Sequence, residues 1–188
     1  MTPETIISLC LGIGLAASVG FRVFLPLFAL SLAAYFDVWH LNESWQWIGS
    51  TTALITLGVA TLVEIVAYFI PYIDNLLDSI AVPLAGIAGT IVMLSTVADL
   101  DPVITWSLAI IAGGGTAAAI AGTSGTTRLA STATTAGVAN PVISTLETGT
   151  SVVMSVVSIF MPFLAIILVI IILFIILKLY KKFKRAKG

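Results

Sequence analysis

The chain has 188 residues, of which 59% are hydrophobic and 9% are charged, and its formal net charge is −1 at pH 7. Soluble domains carry about a quarter charged residues, so this composition excludes a water-exposed globule. The apolar runs are long and continuous rather than short and alternating, which excludes a membrane β-barrel. We therefore predict an all-α integral membrane protein surrounded by the lipid bilayer.

The first predicted element is an apolar run over residues 5–36 that is longer than one membrane crossing requires. About 20 apolar residues span a bilayer, whereas this run would measure about 48 Å as one helix. Its glycines and Pro26 predict a break near Gly20 and two half-helices, which either cross or re-enter the membrane. Arg22 lies at this break, in otherwise apolar surroundings.

Two plainer spans follow. Residues 37–47 form a loop with three tryptophans and no lysine or arginine. Residues 48–70 form the second predicted span, which contains Glu64 and is closed by Pro71. Residues 80–98 form the third predicted span, because they are again long and apolar enough to cross.

A short polar connector between these two spans carries Asp74 and Asp78. Their i, i+4 spacing puts both carboxylates on one face of a helix. We interpret the pair as a polar cap at the inner mouth of the protein. The alternative is a site for a cation or a partner.

The fourth predicted region, residues 104–136, is also overlong and rich in glycine. We expect it to break near Gly122 and Gly125. It carries Arg128, which with Arg22 completes the set of basic residues before Lys178.

The fifth and sixth predicted spans are residues 142–160, which contain Glu147, and residues 162–179. Six of the eight basic residues then lie in the last eleven positions, including the tail 181–188. The positive-inside rule places such a tail in the cytoplasm. Six crossings put the N-terminus on the same side, so we expect a bacterial cytoplasmic (inner) membrane protein with both termini cytoplasmic.

The single transmembrane domain, residues 1–188, divides into two similar halves, about 5–98 and about 104–180. Each half opens with a glycine-broken, arginine-bearing region and continues with a glutamate-bearing span and a plainer span. Three crossings in each half predict that the second half is inverted. Broken helices at matching positions of two inverted halves point to a transporter-type site.

The buried charges are the most costly feature of the chain. An arginine at the centre of a bilayer costs about 2.5–3.5 kcal/mol on insertion scales, and arginine cannot lose its proton to avoid this cost. We therefore predict that Arg22 and Arg128 pair with Glu64 and Glu147. Half-helix ends at the glycine breaks would add backbone N–H donors for an anion. The alternative is that the charges only fix helix packing.

The sequence does not favour an enzyme. It lacks the common nucleophile, zinc-protease, phosphate-loop and redox motifs. His40 is the single histidine and makes a poor case for a metal site, and no basic surface is available for nucleic acid. We expect no metal or cofactor, and a lipid-modifying membrane enzyme is the weakest alternative.

Four stretches of the sequence carry a family resemblance. They are residues 16–27, with Gly-Phe-Arg-Val-Phe-Leu-Pro-Leu around Arg22; Glu64 with residues 71–78; the glycine- and alanine-rich run into Arg128; and Asn140-Pro141 with Ser144-Thr-Leu-Glu147. Together they resemble the domain of unknown function 4126 family of bacterial multi-pass membrane proteins. The family pattern places an acid after the last glutamate, where this chain has Thr148. The resemblance implies the architecture and the site positions but no activity.

We therefore expect a transporter or channel-like permease for a small anionic solute or a lipid-linked phosphate. In this reading the arginines bind the anion and the glutamates couple its movement to an ion. The alternative is a non-transporting accessory or assembly subunit whose charges serve packing and partner docking. The short chain favours a homodimer, with Gly86 and Gly89 as candidate contact positions.

Overall fold

The structure is a computed structural model that describes residues 2–70, 73–97 and 100–186, with the backbone alone for residues 179, 180 and 182–186. This part of the chain is all-helical, with 86% of residues in helices and no strand. The predicted Pro71, the acidic residue Asp99 and the last two residues of the tail lie outside the described residues. The helices are α1 (Pro3–Val19), α2 (Phe24–Tyr35), a 3-10 helix (Glu43–Gly49), α3 (Thr51–Ala67), α4 (Ile73–Thr96), α5 (Pro102–Leu108), a π-helical segment (Ala109–Gly114), α6 (Gly115–Thr135), α7 (Asn140–Phe160) and α8 (Pro162–Ala186).

Three helical segments in the described ranges are long and apolar enough to cross a membrane, namely Ile73–Thr96, Pro102–Thr135 and Asn140–Phe160. A fourth is reached if Glu43–Gly49 and Thr51–Ala67, which are bent by 63° at their junction, count as one span. The other apolar segments are shorter, at 10–17 residues, namely Pro3–Val19, Phe24–Tyr35 and the stretch Pro162–Lys178 of α8. The structure therefore agrees with a helical membrane protein, and the six-span inverted arrangement is not confirmed.

Helices α1 and α2 form a hairpin whose two open ends lie together. Glu4 and Ser8 of α1 line one pocket with His40 and Glu43, which follow α2, and with Thr96 at the end of α4. We call this side of the molecule the loop end. Regular helix stops at Val19 and resumes at Phe24, so the hairpin has its tip at residues 20–23.

This hairpin bears on how residues 5–36 relate to a membrane. Three crossings in the first half predict that the start of α1 and the loop at residues 37–47 lie on opposite sides. The structure puts them at the same end of the molecule, because α2 runs back alongside α1. Of the two forms expected for this region, a full crossing or re-entry, the hairpin has the shape of a re-entrant pair, and the side on which the N-terminus lies stays a prediction.

The hairpin is held against α7 by hydroxyl groups. Ser18 Oγ lies 2.9 Å from Ser151 Oγ and 2.8 Å from Ser155 Oγ, and it also contacts the Ser151 carbonyl at 2.8 Å. All three serines are buried. Hydroxyl pairs of this kind join helices in an apolar medium without burying a charge.

The region from Pro102 to Thr135 is one uninterrupted helical run of 34 residues. The break expected at Gly122 and Gly125 is wrong, because both glycines lie inside α6. The irregularity is instead the π-helical segment Ala109–Gly114. It lies where α4 approaches closely: a Cβ on Gly89 would lie 2.7 Å from the carbonyl oxygen of Gly113. Glycine here permits contact between two backbones, which a side chain would prevent.

The same contact bears on Gly86 and Gly89, which were expected at a dimer interface. A Cβ on Gly86 would lie 3.9 Å from Ala118, and one on Gly89 would lie 2.6 Å from Ala117. Both glycines thus face α6 of the same chain. They are used within the fold, and homodimerisation stays a prediction.

The other end of the molecule, which we call the tail end, is where α6 ends and α4 and α7 begin. Asp74 and Asn140, at the starts of α4 and α7, are hydrogen bonded there. Helix α8 starts beside Gly14, where Ala165 packs, and continues past Ile120 at Val169. It therefore runs parallel to α1, towards the tail end.

Candidate functional site

Both buried arginines converge on a single carboxylate, that of Glu147 on α7. Arg22 Nη1 donates to Glu147 Oε2 at 3.2 Å, and Arg128 Nε donates to the same oxygen at 3.1 Å. Arg128 Nη2 also hydrogen bonds to this oxygen. Each arginine side chain is 1% exposed and that of Glu147 is 8% exposed. Three charges from distant parts of the sequence thus form one buried cluster.

The two arginines differ in how completely their other donors are satisfied. Arg22 Nε donates to Thr148 Oγ1 at 3.0 Å, Nη2 to the Ser144 carbonyl at 3.0 Å, and Nη1 to the Phe21 carbonyl at 3.1 Å. Arg128 Nη2 donates to Ser144 Oγ at 2.8 Å. Arg128 Nη1, by contrast, is buried and has no hydrogen-bond partner among the described residues. An unpaired donor on a buried cation is costly, so this nitrogen is available to an acceptor that enters the site.

The second carboxylate oxygen of Glu147 also accepts hydrogen bonds, so that four side-chain donor groups hold this carboxylate. Ser124 Oγ on α6 hydrogen bonds to Glu147 Oε1, and Arg128 Nε approaches the same oxygen at 3.4 Å. Both carboxylate oxygens are therefore held by side chains from α6, while Arg22 at the hairpin tip binds one of them. Charge-assisted hydrogen bonds of this type are the strongest that side chains form.

Tyr68, at the end of α3, provides an aromatic surface for both guanidinium groups. Its ring centroid lies 4.1 Å from Cζ of Arg22 and 4.4 Å from Cζ of Arg128. Its carbonyl accepts Ser144 Oγ at 3.3 Å. Cation–π contact reaches about 2 kcal/mol when the groups are desolvated, so the ring helps to offset the burial of two like charges.

Glu64 has a different role from the one predicted. Its Oε1 accepts the backbone N–H of Val23 at 2.7 Å and its Oε2 accepts that of Phe24 at 3.0 Å. These groups are at the N-terminus of α2, where the helix dipole favours a negative charge. Glu64 makes no described ion pair with either arginine, so the predicted pairing is right for Glu147 and wrong for Glu64. The predicted half-helix end is real, but a side chain already occupies it.

The two aspartates on α4 separate into two environments. Asp78 Oδ1 lies 3.7 Å from Arg128 Nε and belongs to the charge cluster. Asp74 accepts Asn140 Nδ2 at 3.0 Å through Oδ2 and the N–H of Asn75 at 2.8 Å through Oδ1. Asn140 Nδ2 also donates to Thr132 Oγ1 at 3.1 Å. The i, i+4 spacing predicted that Asp74 and Asp78 share one face of a helix. In the structure the two aspartates belong to two successive polar layers.

A small cavity of about 20 Å³, enough for about one water molecule, lies against the cluster. Its wall includes the backbone of the hairpin tip at residues 19–23 and the side chains of Arg22, Glu64, Tyr68, Asp78, Ser124, Arg128 and Glu147. Gly125 also lines it, and a Cβ there would meet no atom within 4 Å. The charged groups thus face one small common space.

Three of the contributing residues were not predicted as site residues, namely Tyr68, Ser124 and Ser144, although Ser144 belongs to the motif that ends at Glu147. Tyr68 lies four residues after Glu64, so helical spacing places it on the same face. Ser144 lies three residues before Glu147 on α7 for the same reason. Ser124 is one of many hydroxyl residues on α6, and nothing in the sequence distinguishes it from its neighbours.

The described ranges contain no cluster of three or more His, Cys, Asp or Glu that could hold a metal ion. What the cluster offers chemically is a set of fixed cationic donors around an oxygen-bearing anion, with Glu147 as the resident anion. A second anion could bind there only if the Glu147 carboxylate moved away or became neutral.

The family model described as a domain of unknown function (DUF4126) matches residues 9–182. No curated protein and no solved structure matches the chain.

Proposed function

The chain belongs to the DUF4126 family, whose description assigns no activity, and from its site we propose that it is a small multi-pass membrane permease for a small anionic solute or a lipid-linked phosphate. Arg22 and Arg128 would bind the anionic group. The observation that supports this most is that both arginines hold one carboxylate beside a cavity, while Arg128 Nη1 keeps a free donor. Charged groups inside membrane segments are rare, and they commonly mark substrate or ion pathways.

A polar route connects this site with the tail end. Glu147 lies seven residues into α7 and Asp78 five residues into α4, which places both about 8–10 Å along their helices. The buried Asp74 and Asn140 and the half-buried Thr132 form a polar layer between the cluster and the helix ends. Buried polar side chains at successive depths support a path for a hydrated or charged species.

In this proposal the two glutamates have distinct roles. Glu147 is the coupling group, because it occupies the arginines when no anion is bound and must release them for one to bind. Glu64 fixes the hairpin tip through the N–H groups of Val23 and Phe24, and so keeps Arg22 in position.

For the setting of the site, we propose the bacterial cytoplasmic membrane with the basic tail inside. The tail end and the mouth of the site then face the cytoplasm, and the loop end, with the start of α1, faces outside. A relation between the two halves stays a prediction, since the re-entrant hairpin has no counterpart in the continuous run from Pro102 to Thr135. Homodimerisation likewise stays a proposal.

A second function, that of a non-transporting accessory subunit, is supported by the completeness of the cluster. Every described donor of Arg22 has a partner, and Arg128 lacks one at Nη1 alone. A cluster so nearly satisfied also suits a fixed role in helix packing. In that case partner docking would use the apolar outer faces of the bundle.

The test is flux in liposomes that contain the purified protein as the single protein. Small anions such as acetate, chloride and phosphate should be taken up when the protein is present, and Arg22→Gln or Arg128→Gln should abolish uptake. Glu4→Gln, at an exposed residue of the loop end, is the matched control and should leave uptake unchanged. Absence of flux for the whole panel, with a partner that co-purifies in fixed ratio, would favour the accessory subunit.

A further inference from the structure

The structure carries a second opening that reaches the same carboxylate from the side. A groove with an empty volume of about 790 Å³ runs between α6, α7 and α8. Phe21, Ser124 and Glu147 line both this groove and the cavity of the arginines. These three residues are therefore the wall between the two spaces, and Glu147 is its charged component.

The groove and the cavity have opposite chemistry. The groove is walled by aliphatic side chains, among them Ile120, Ile143, Leu146, Ile172 and Ile175, with the hydroxyl groups of threonines as its polar atoms besides Ser124 and Glu147. The cavity contains both guanidinium groups and little apolar surface. One side of Glu147 thus suits a hydrocarbon chain, and the other suits an anion.

From this juxtaposition we infer that the ligand is a single-chain amphiphile with a carboxylate head group, a long-chain fatty acid in chemical class. Its head group would replace the Glu147 carboxylate on Arg22 and Arg128, and its chain would lie in the groove. This inference rests on the proposed anion site and specifies its substrate class.

The head group is identified by the resident anion. Glu147 shows that the four donors accept a planar group with two oxygens, each oxygen held by at least two contacts. Arg128 Nη1 adds a further donor that Glu147 leaves unused. A carboxylate satisfies this donor set, while the small cavity, about 20 Å³, does not suit the larger head group of a phospholipid.

The chain position is identified by geometry. A ligand bound through its carboxylate at Glu147 would have its chain emerge at the shared wall, where the groove begins. Ile172, Ile175 and Ile176 of α8 form the far side of the groove. The groove therefore accommodates the chain, whereas the arginines fix the orientation of the ligand.

The experiment uses the full-length protein in lipid nanodiscs and a palmitic acid that carries a photoreactive diazirine near its methyl end. Irradiation should label peptides of α6, α7 and α8 around the groove. Excess palmitate should compete, whereas its methyl ester, which has the same chain without the charge, should not. Equal competition by the ester would overturn the inference, because ordinary lipid contact does not depend on the carboxylate.

A matched pair of α8 variants tests the chain site without removing a charge, and a third variant tests the head-group site. Ile175→Trp should fill the groove and lower labelling about tenfold or more, while Ile171→Trp, on the same helix outside the groove lining, should leave it unchanged. Glu147→Gln should increase labelling, because the competing anion is gone. Labelling that is insensitive to Ile175→Trp would also contradict the inference.

Failure of the fatty-acid inference can be distinguished from failure of the proposed permease function. If acetate is transported in liposomes and palmitate shows no carboxylate-dependent labelling, the permease proposal stands and the amphiphile inference fails. If palmitate labels the groove and no anion is transported, the ligand site stands and the permease proposal fails.

Discussion

Gly20 packs so closely against Ile120 that a Cβ at position 20 would lie 2.5 Å from the Cβ of Ile120. It would also lie 2.8 Å from the carbonyl oxygen of Ala117, which belongs to the backbone of α6 and cannot turn away. The backbone of Gly20 is in the ordinary helical region, at φ −63°. Glycine is therefore needed here for space, and the depth of the hairpin tip depends on it.

Gly20→Ala should destabilise the protein by about 1–3 kcal/mol, the usual cost of forcing extra volume into a packed site. It should also shift Arg22 away from Glu147 and so lower anion uptake. The matched control is Gly125→Ala, where a Cβ meets nothing within 4 Å and alanine favours the helix. Thermal unfolding in detergent would compare the two, and equal melting temperatures would contradict the close contact.

Glu147→Ala should lower the free energy of unfolding by about 3–5 kcal/mol, because it leaves two buried arginines without their shared carboxylate. Protein abundance in the membrane and size-exclusion profiles would measure the loss. Glu4→Ala removes an exposed acid and should have no effect. Normal abundance of the Glu147 variant would show that the arginines have other partners.

Tyr68→Phe should retain stability, because the phenyl ring still faces both guanidinium groups at about 4 Å. Tyr68→Leu keeps an apolar side chain of similar burial but has no π-electrons. We expect it to lose up to about 2 kcal/mol for desolvated cation–π contacts. The difference between the two variants, measured by thermal unfolding, isolates the aromatic contribution, and no difference would argue against it.

Glu64→Ala should loosen the hairpin tip, since the N–H groups of Val23 and Phe24 lose the carboxylate that caps α2. The cost should be about 1.5–3 kcal/mol per lost hydrogen bond to a charged acceptor. Glu64→Gln keeps one carbonyl oxygen, so its stability should lie between that of Glu64→Ala and that of the native protein. Hydrogen exchange at residues 23–24 would follow the effect, and unchanged protection would contradict the cap.

The hairpin predicts that the two ends of the first region are reached from the same side of a membrane. In a Cys10→Ser background, single cysteines at Glu4 and His40 should react with an impermeant maleimide from the same side. A cysteine at Lys181 should react from the other. Labelling of positions 4 and 40 from opposite sides would instead show that residues 5–36 cross the membrane fully.

The sequence allowed the charge cluster to be located but not its pairing. Arg22, Arg128 and Glu147 stand out because an ion in an apolar run must find a partner. Nothing along the chain indicates that one glutamate serves both arginines while Glu64 binds backbone N–H groups. That choice depends on where the hairpin tip meets α3 and α7, which is set by long-range packing.

The positions of the glycines predicted the helix breaks less well than the buried charges predicted the site. Gly20 lies next to a real break, whereas Gly122 and Gly125 lie within a continuous helix. The two cases look alike in sequence because glycine either ends a helix or admits a close neighbour. Thr148 shows the same limit: the family pattern suggested an acid at this position, and here its hydroxyl binds Arg22 Nε.

The hairpin also has a consequence for biosynthesis. Arg22 and its ion-pair partner Glu147 are 125 positions apart, and at about 5–20 residues per second the ribosome needs roughly 6–25 s to add the second after the first. During that time the guanidinium of a nascent chain has no carboxylate to accompany it into hydrocarbon. Deep insertion of the first two helices must therefore follow synthesis of α7. The segment that is made first is then among the last to reach its final position in the membrane. Chains that stop before α7 should be degraded.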